Sequence, residues 1–291
     1  MFLRTLPALG LTLSLAAPVL AQNAELRAVP DREWCNHEHS GDYSGSKTCN
    51  VYEATWPAGG SISVDGRPNG GIEVHGWDRN EVRLRAKVVT QAESEAEARA
   101  LASEIRVVTG PTIHAEGPRG ERGRDRSWYV GYKLDVPHDA ALTLESLNGG
   151  IHLEDLDGNV TFNTTNGGLH LKDMAGNVRG RTTNGGVHVE LTGSEWRGEG
   201  LDLVTTNGGV HLQIPRSYNA RLEVGTTNGR VHSALGNGSS DDDQDEDADD
   251  DDPGARRGRH DRRRNLSLTL GNGGKLLRIR TTNGGVHVGQ D

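Results

Sequence analysis

The stretch Val160-Thr-Phe-Asn-Thr-Thr-Asn-Gly-Gly-Leu-His-Leu-Lys172 is followed, eighteen residues on, by Val178-Arg-Gly-Arg-Thr-Thr-Asn-Gly-Gly-Val-His-Val-Glu190. Each half alternates with a period of two, the mark of a strand with one buried face. Counting back from the Asn, the sixth, fourth and second residues are apolar, small or Thr: Val160, Phe162 and Thr164, then Val178, Gly180 and Thr182. Beyond the turn, Leu169 and Leu171, then Val187 and Val189, keep the same phase. The unit recurs around Asn148, Asn207, Asn228 and Asn283, with Arg230 replacing the second glycine at Asn228. Intervals are 18, 18, 23, 21 and finally 55 residues.

Asn-Gly between alternating runs commonly signals a two-residue hairpin. Here the turn and the inward positions repeat in register, as expected of short coils stacked each on the previous one at ~4.8 Å. The predicted fold is therefore all-β, a parallel β-solenoid of stacked short coils. Stacked Asn amides are expected to hydrogen-bond along the axis, and Gly to supply positive φ angles at the corner. No helix follows the Asn-Gly-Gly turn, so it is not read as a phosphate loop.

Upstream, Ser61–Val64 and Ile72–Val74 read as one atypical coil around Asn69, followed by a long strand from Glu81 to Thr90. Thr90-Gln91-Ala92-Glu93 fits a capping box, and Ala92, Ala96, Leu101 and Ile105 give an apolar side, predicting a helix over residues 91–105. This N-terminal helix and a disulfide are expected to form part of a cap over the open end of the stack. Strands near Arg106–Thr109 and Ser127–Val136 lead into the regular coils. The divisions are residues 1–21, 22–60, an irregular β region at 61–137 with the helix, and regular repeats at 138–291 interrupted at 239–264.

Residues 1–21 have a basic start, an apolar run from Leu6 to Leu20 and small residues at Val19-Leu20-Ala21, which predicts a signal peptide cleaved after Ala21. The expected location is the periplasm or the cell exterior. In an oxidising compartment Cys35 and Cys49 are expected to pair as a disulfide; a zinc site of Cys35, His37, His39 and Cys49 is the alternative. No later stretch is apolar for long enough to span a bilayer, so an integral membrane protein is not expected.

The formal net charge of −9 argues against a nucleic-acid partner. Asp241–Asp252 carries ten carboxylates, and Arg256–Arg264 six arginines behind it. Segment 239–264 has the composition of a disordered insertion; weak calcium binding or contact with a basic partner is the sharper reading.

Ala58-Gly-Gly-Ser-Ile-Ser-Val-Asp65, Pro68-Asn-Gly-Gly-Ile-Glu-Val-His-Gly-Trp-Asp78, the Glu97-Ala-Arg-Ala100 helix and the repeated Thr-Thr-Asn-Gly-Gly-Val resemble the bacterial putative-adhesin family of β-strand-repeat proteins. The resemblance covers residues 50–291 and implies an exported β-solenoid without an established enzymatic activity. The charged insertion departs from the family pattern.

No Gly-x-Ser-x-Gly elbow, Walker loop or His-Glu-x-x-His motif occurs, so no catalytic residue and no cofactor is assigned. Outward positions six after the Asn read Glu154, Lys172, Glu190 and Gln213, a pattern of ladder salt bridges. Four after each Asn stand His152, His170, His188, His211, His232 and His287, half of the twelve His in the chain. They are expected to face solvent in one column with imidazoles ~5 Å apart, either as an inert repeat or sharing a metal between neighbours. Two functions fit: a noncatalytic envelope or surface protein, an adhesin or scaffold binding a glycan or protein through flat β faces, or a carbohydrate-active enzyme of the envelope.

Overall fold

A computed structural model describes residues 24–36, 45–118, 126–235 and 264–290. The expected signal peptide at 1–21, the alternative ligands His37 and His39, and all of the charged segment except Arg264 lie outside the described residues. In chain order the elements are β1 (Arg27–Val29), α1 (Arg32–Asn36), β2 (Ser46–Pro57), β3 (Ile62–Asp65), β4 (Ile72–Trp77), β5 (Glu81–Ala92), α2 (Glu95–Glu104), β6 (Arg106–Thr109), β7 (Thr112–Glu116) and β8 (Ser127–Pro137). The repeats follow as strand pairs: β9 (Leu142–Ser146) with β10 (Ile151–Leu156), β11 (Asn159–Asn166) with β12 (Leu169–Met174), and β13 (Asn177–Asn184) with β14 (Val187–Glu190). Then come β15 (Gly200–Asn207) with β16 (Val210–Ile214), β17 (Ala220–Asn228) with β18 (Val231–Ser233), the single strand β19 (Asn265–Leu270), and β20 (Leu276–Asn283) with β21 (Val286–Gln290).

These strands make two mostly parallel, open sheets, ordered β1-β2-β5-β8-β4-β10-β12-β14-β16-β21-β18 and β19-β17-β20-β15-β13-β11-β9-β3-β7-β6. The two strands before and after each Asn-Gly-Gly turn sit in different sheets. Equivalent residues of successive repeats pair in register: Val160 with Val178, Asn166 with Asn184, Leu169 with Val187. The positions read as inward are buried, including Val160, Phe162, Val178, Leu201, Leu203 and Ile279. Each large aliphatic residue so placed contributes roughly 1.5–3 kcal/mol. Gly180 is inward too, and its missing side chain leaves room for the Phe162 ring from the preceding repeat. At the opposite corner the chain turns through Asp155 and Asp173 at φ of 60° and 50°, where Asp is among the residues that tolerate the left-handed region.

Stacking does not follow sequence order throughout. β20 pairs with β15 on one side and with β17 on the other, and β21 lies between β16 and β18. The repeat of Asn283 is thus intercalated between those of Asn207 and Asn228, which corrects the expectation that each coil lies on the previous one. Before the turn the inward residues of the three repeats are of the same kind, so this half of the pattern does not fix the stacking order; after it, Ser233 of the outermost repeat stands where the other two have Leu212 and Val288. The order is set by β19, which pairs antiparallel with the outer edge of β17, and by the return of the chain through residues 271–275 to the inner edge.

At the other end the first sheet continues through β8, β5, β2 and β1, while the second continues only through β7 and β6. Helix α2 packs on β5 and β2 with Ala98, Leu101 and Ala102 buried. It is shorter than the predicted 91–105. Thr90 and Ala92 remain in β5, paired with Thr48 and Ser46, and the N-cap is Ser94, whose hydroxyl accepts from the Glu97 N–H at 3.3 Å. The N-cap is displaced by four residues because the sheet holds the chain extended up to Ala92. A second short helix, α1, is absent from the sequence reading. No helix among the described residues is long and apolar enough to cross a membrane.

Candidate functional site

The repeated turn builds four parallel rows along the stack. The Asn side chains form the first. Asn148 donates to Asn69, Asn166 to Asn148, Asn184 to Asn166, Asn207 to Asn184, Asn283 to Asn207 and Asn228 to Asn283, all at 2.7–2.8 Å. Behind them, inward hydroxyls of Thr164, Thr182, Thr205, Thr281 and Thr226 donate at 2.7–2.9 Å to a glycine carbonyl of the adjacent repeat. Each buried hydroxyl is thereby satisfied.

The two glycines of each turn have different reasons. Neither Gly185 nor Gly186, nor any equivalent, lies in the left-handed region, which corrects the expectation of positive φ there. A Cβ on Gly185 would stand 2.5 Å from the carbonyl carbon of Gly167 and closer still to its oxygen, and Gly149, Gly167, Gly208 and Gly284 are similarly confined. The first glycine is thus required by the close approach of stacked backbones. At the second, a Cβ would meet nothing nearer than 3.6 Å at Gly71, 3.2 Å at Gly150, 3.5 Å at Gly168, 3.4 Å at Gly186 and 3.6 Å at Gly209. Arg230 occupies this position in the outermost repeat, where no further repeat stacks against it.

The second glycines form a bare, exposed strip. Two residues on, and therefore on the same face, stands the imidazole column. Cross-strand register orders it His152, His170, His188, His211, His287, His232, with Glu73 of β4 taking the next place beside His152. Ring centroids are 4.2, 4.6, 6.0 and 4.9 Å apart from His152 to His287, and the rings of His152 and His170 meet nitrogen to nitrogen. His170 and His188 are held below the usual imidazole range, first by burial and then by the neighbouring imidazole; Glu190 pulls the other way at both. Among the described residues no three His, Cys, Asp or Glu side chains converge on a point that a metal could occupy. Next to the column, Lys172 bridges Glu154 at 3.0 Å, the expected ladder contact.

Strip and column together line a groove of about 790 Å³ running from Gly71 to Gly209 and His211. Trp34, Tyr129, Lys87 and Glu73 line the same groove from the first strands and from α1. Trp34 is delivered by the disulfide. Cys35 bonds Cys49, with Cα atoms 6.0 Å apart, and ties α1 to β2. Asp31 Oδ1 accepts from the Trp34 backbone N–H at 3.0 Å, and the indole lies over Gly131 with Lys87 Nζ and Lys133 Nζ each 5.0 Å from its centre. Lys133 also bridges Glu73 at 3.0 Å.

The His column and the disulfide were legible in the sequence, whereas the groove was not. Trp34, Lys87 and Tyr129 come from three separate segments, and the only signal pointing to Trp34 was its place beside a bridged cysteine.

No protein-family model matches the chain, and no curated protein matches it. Among solved structures it is similar to the crystal structure of a putative cell adhesion protein from Clostridium sporogenes, at 10% identity and a TM-score of 0.37, over 82% of this chain and 99% of that one. A likeness of that size carries no argument about fold or function.

Proposed function

We propose that this chain is an exported, noncatalytic surface protein of the adhesin or scaffold type, a β-solenoid that binds an unbranched glycan along the glycine-floored groove. The observation that carries the reading is the second glycine. A Cβ would meet only ordinary contacts of 3.4–3.6 Å at Gly71, Gly168, Gly186 and Gly209, yet the position is bare beside the imidazoles along the groove. The floor strands are paired on both sides, so their backbone groups are occupied and offer a peptide no edge to pair with. Such a floor suits a ligand with apolar faces and polar rims, which describes a chain of pyranose rings. Neutral imidazole both donates and accepts, matching sugar hydroxyls, and one stands at every strand step of ~4.8 Å. Trp34 and Tyr129 supply aromatic surface. The disulfide supports export.

Glu73 is the one carboxylate among the described groove residues, and Lys133 holds it; glycoside hydrolysis ordinarily uses two. This favours binding over the enzyme reading. The test is a glycan array probed with the mature protein and with a Gly168→Val/Gly186→Val variant. Retained melting temperature with lost glycan binding supports the groove. Equal binding by both proteins, or release of reducing sugar from the bound glycan, overturns the reading.

A further inference from the structure

Residues 264–290 embrace β17 from both edges, β19 antiparallel on the outside and β20 parallel on the inside. The link between them turns through Gly271, Gly273 and Gly274 at φ of 53°, 78° and 146°. It is fastened by the Asn272 N–H to Asn219 Oδ1 at 2.8 Å and by the Arg221 N–H to the Lys275 carbonyl at 2.9 Å. Arg264 belongs to this clasp, since its carbonyl accepts from the Thr226 N–H at 2.8 Å; the boundary of the charged segment therefore falls before residue 264.

Taking the clasp away would leave a slot one repeat wide. Its two walls, β15 with β16 and β17 with β18, would each expose an unpaired parallel edge. Both walls are in register with the clasp: Leu201, Leu203, Thr205 and Asn207 face Leu277, Ile279, Thr281 and Asn283, which face Leu222, Val224, Thr226 and Asn228. The clasp follows β18 across residues 236–263, a length that spans up to ~90 Å when extended. Connectivity thus does not confine the clasp to its own body.

We propose that residues 264–290 are exchanged between copies of this chain, the clasp of one filling the slot of another. Each of these clasp contacts re-forms unchanged in the exchanged state, so exchange is governed by concentration and not by lost packing. Reciprocal exchange gives a closed dimer; sequential exchange gives an open row of copies, each presenting its groove.

The experiment uses two full-length variants with one added cysteine each, Asn207→Cys and Asn283→Cys, whose positions are direct cross-strand neighbours. They are unfolded and refolded together at high concentration with Cys35–Cys49 intact, then oxidised. A covalent dimer, absent when the two are refolded apart and then mixed, and absent for Asn166→Cys with Asn283→Cys, is the expected result. No dimer from chains that refold to a native melting temperature overturns the proposal. Should either variant fail to fold, tagged and untagged natural chains are co-refolded: retention of untagged chain on the tag, lost when residues 264–290 are deleted from both, supports exchange, and no retention overturns it.

Discussion

Changing Gly185 to Ala and, separately, Gly186 to Ala is expected to give two very different proteins. At Gly185 the new Cβ falls 2.5 Å from the Gly167 carbonyl carbon and 2.9 Å from the Gly168 nitrogen, all of it backbone that cannot swing aside. Relief requires the two repeats to part at the corner by roughly 1 Å, judged against ordinary carbon contacts of ~3.5 Å. That movement strains the Asn184–Asn166 bond and the Thr182–Gly167 bond, each 2.8 Å long. Two hydrogen bonds at ~1 kcal/mol each, with overpacking of ~1–3 kcal/mol, give a loss of about 3–5 kcal/mol. For a chain of this size that is a fall in melting temperature of roughly 6–20 °C. At Gly186 the nearest atom is the Gly209 oxygen at 3.4 Å and φ is not left-handed, so the variant should match the natural protein or gain up to ~1 kcal/mol from the less flexible unfolded chain. Scanning calorimetry of both variants and the natural protein decides the matter. Melting of the two variants within about 2 °C of each other would refute the division of labour between the glycines.

Thr182→Val keeps the shape but removes the donor to the Gly167 carbonyl at a fully buried position, with an expected cost of ~1–2 kcal/mol in thermal melting. The imidazoles of His170 and His188 are held low, so the unfolded chain binds protons more readily; stability should fall as pH drops through ~6.5. His138, raised by its bond to the Asp155 carbonyl and by Asp155 and Asp78, has the opposite sign: its contribution is present at low pH and lost as pH rises. A His170→Thr/His188→Thr variant should therefore lose less melting temperature than the natural protein between about pH 7.5 and 5.5, and His138→Asn should lose more; identical losses would show that these groups do not set the pH response. Replacing Cys35 and Cys49 with Ser reopens a loop of sequence separation 14, worth ~3 kcal/mol in the chain-entropy model, and hydrogen exchange should rise around α1 and Trp34 while β11–β16 stay protected.

Much of this protein was legible because its information is periodic. Two-residue alternation around each Asn assigned the buried faces, and equal spacing of Asn, Thr and His made the side-chain rows foreseeable, since stacked parallel strands set like residues side by side. Local chemistry alone was less reliable where a sheet reached further than a motif. Thr90 looked like a helix cap but is held in β5, and Asn-Gly-Gly suggested left-handed glycines where the real constraint is the carbonyl of the neighbouring repeat. Two features belonged to tertiary structure entirely. Before the turn the inward residues of the Asn207, Asn228 and Asn283 repeats are interchangeable in kind, so that half of the period specifies register without specifying order; the intercalated order comes with the clasp around β17. The groove likewise needs Trp34, Lys87, Tyr129 and the glycine strip, far apart in the chain, brought to one face by β-pairing and a disulfide, because a concave surface is a property of how elements meet and no single element encodes it.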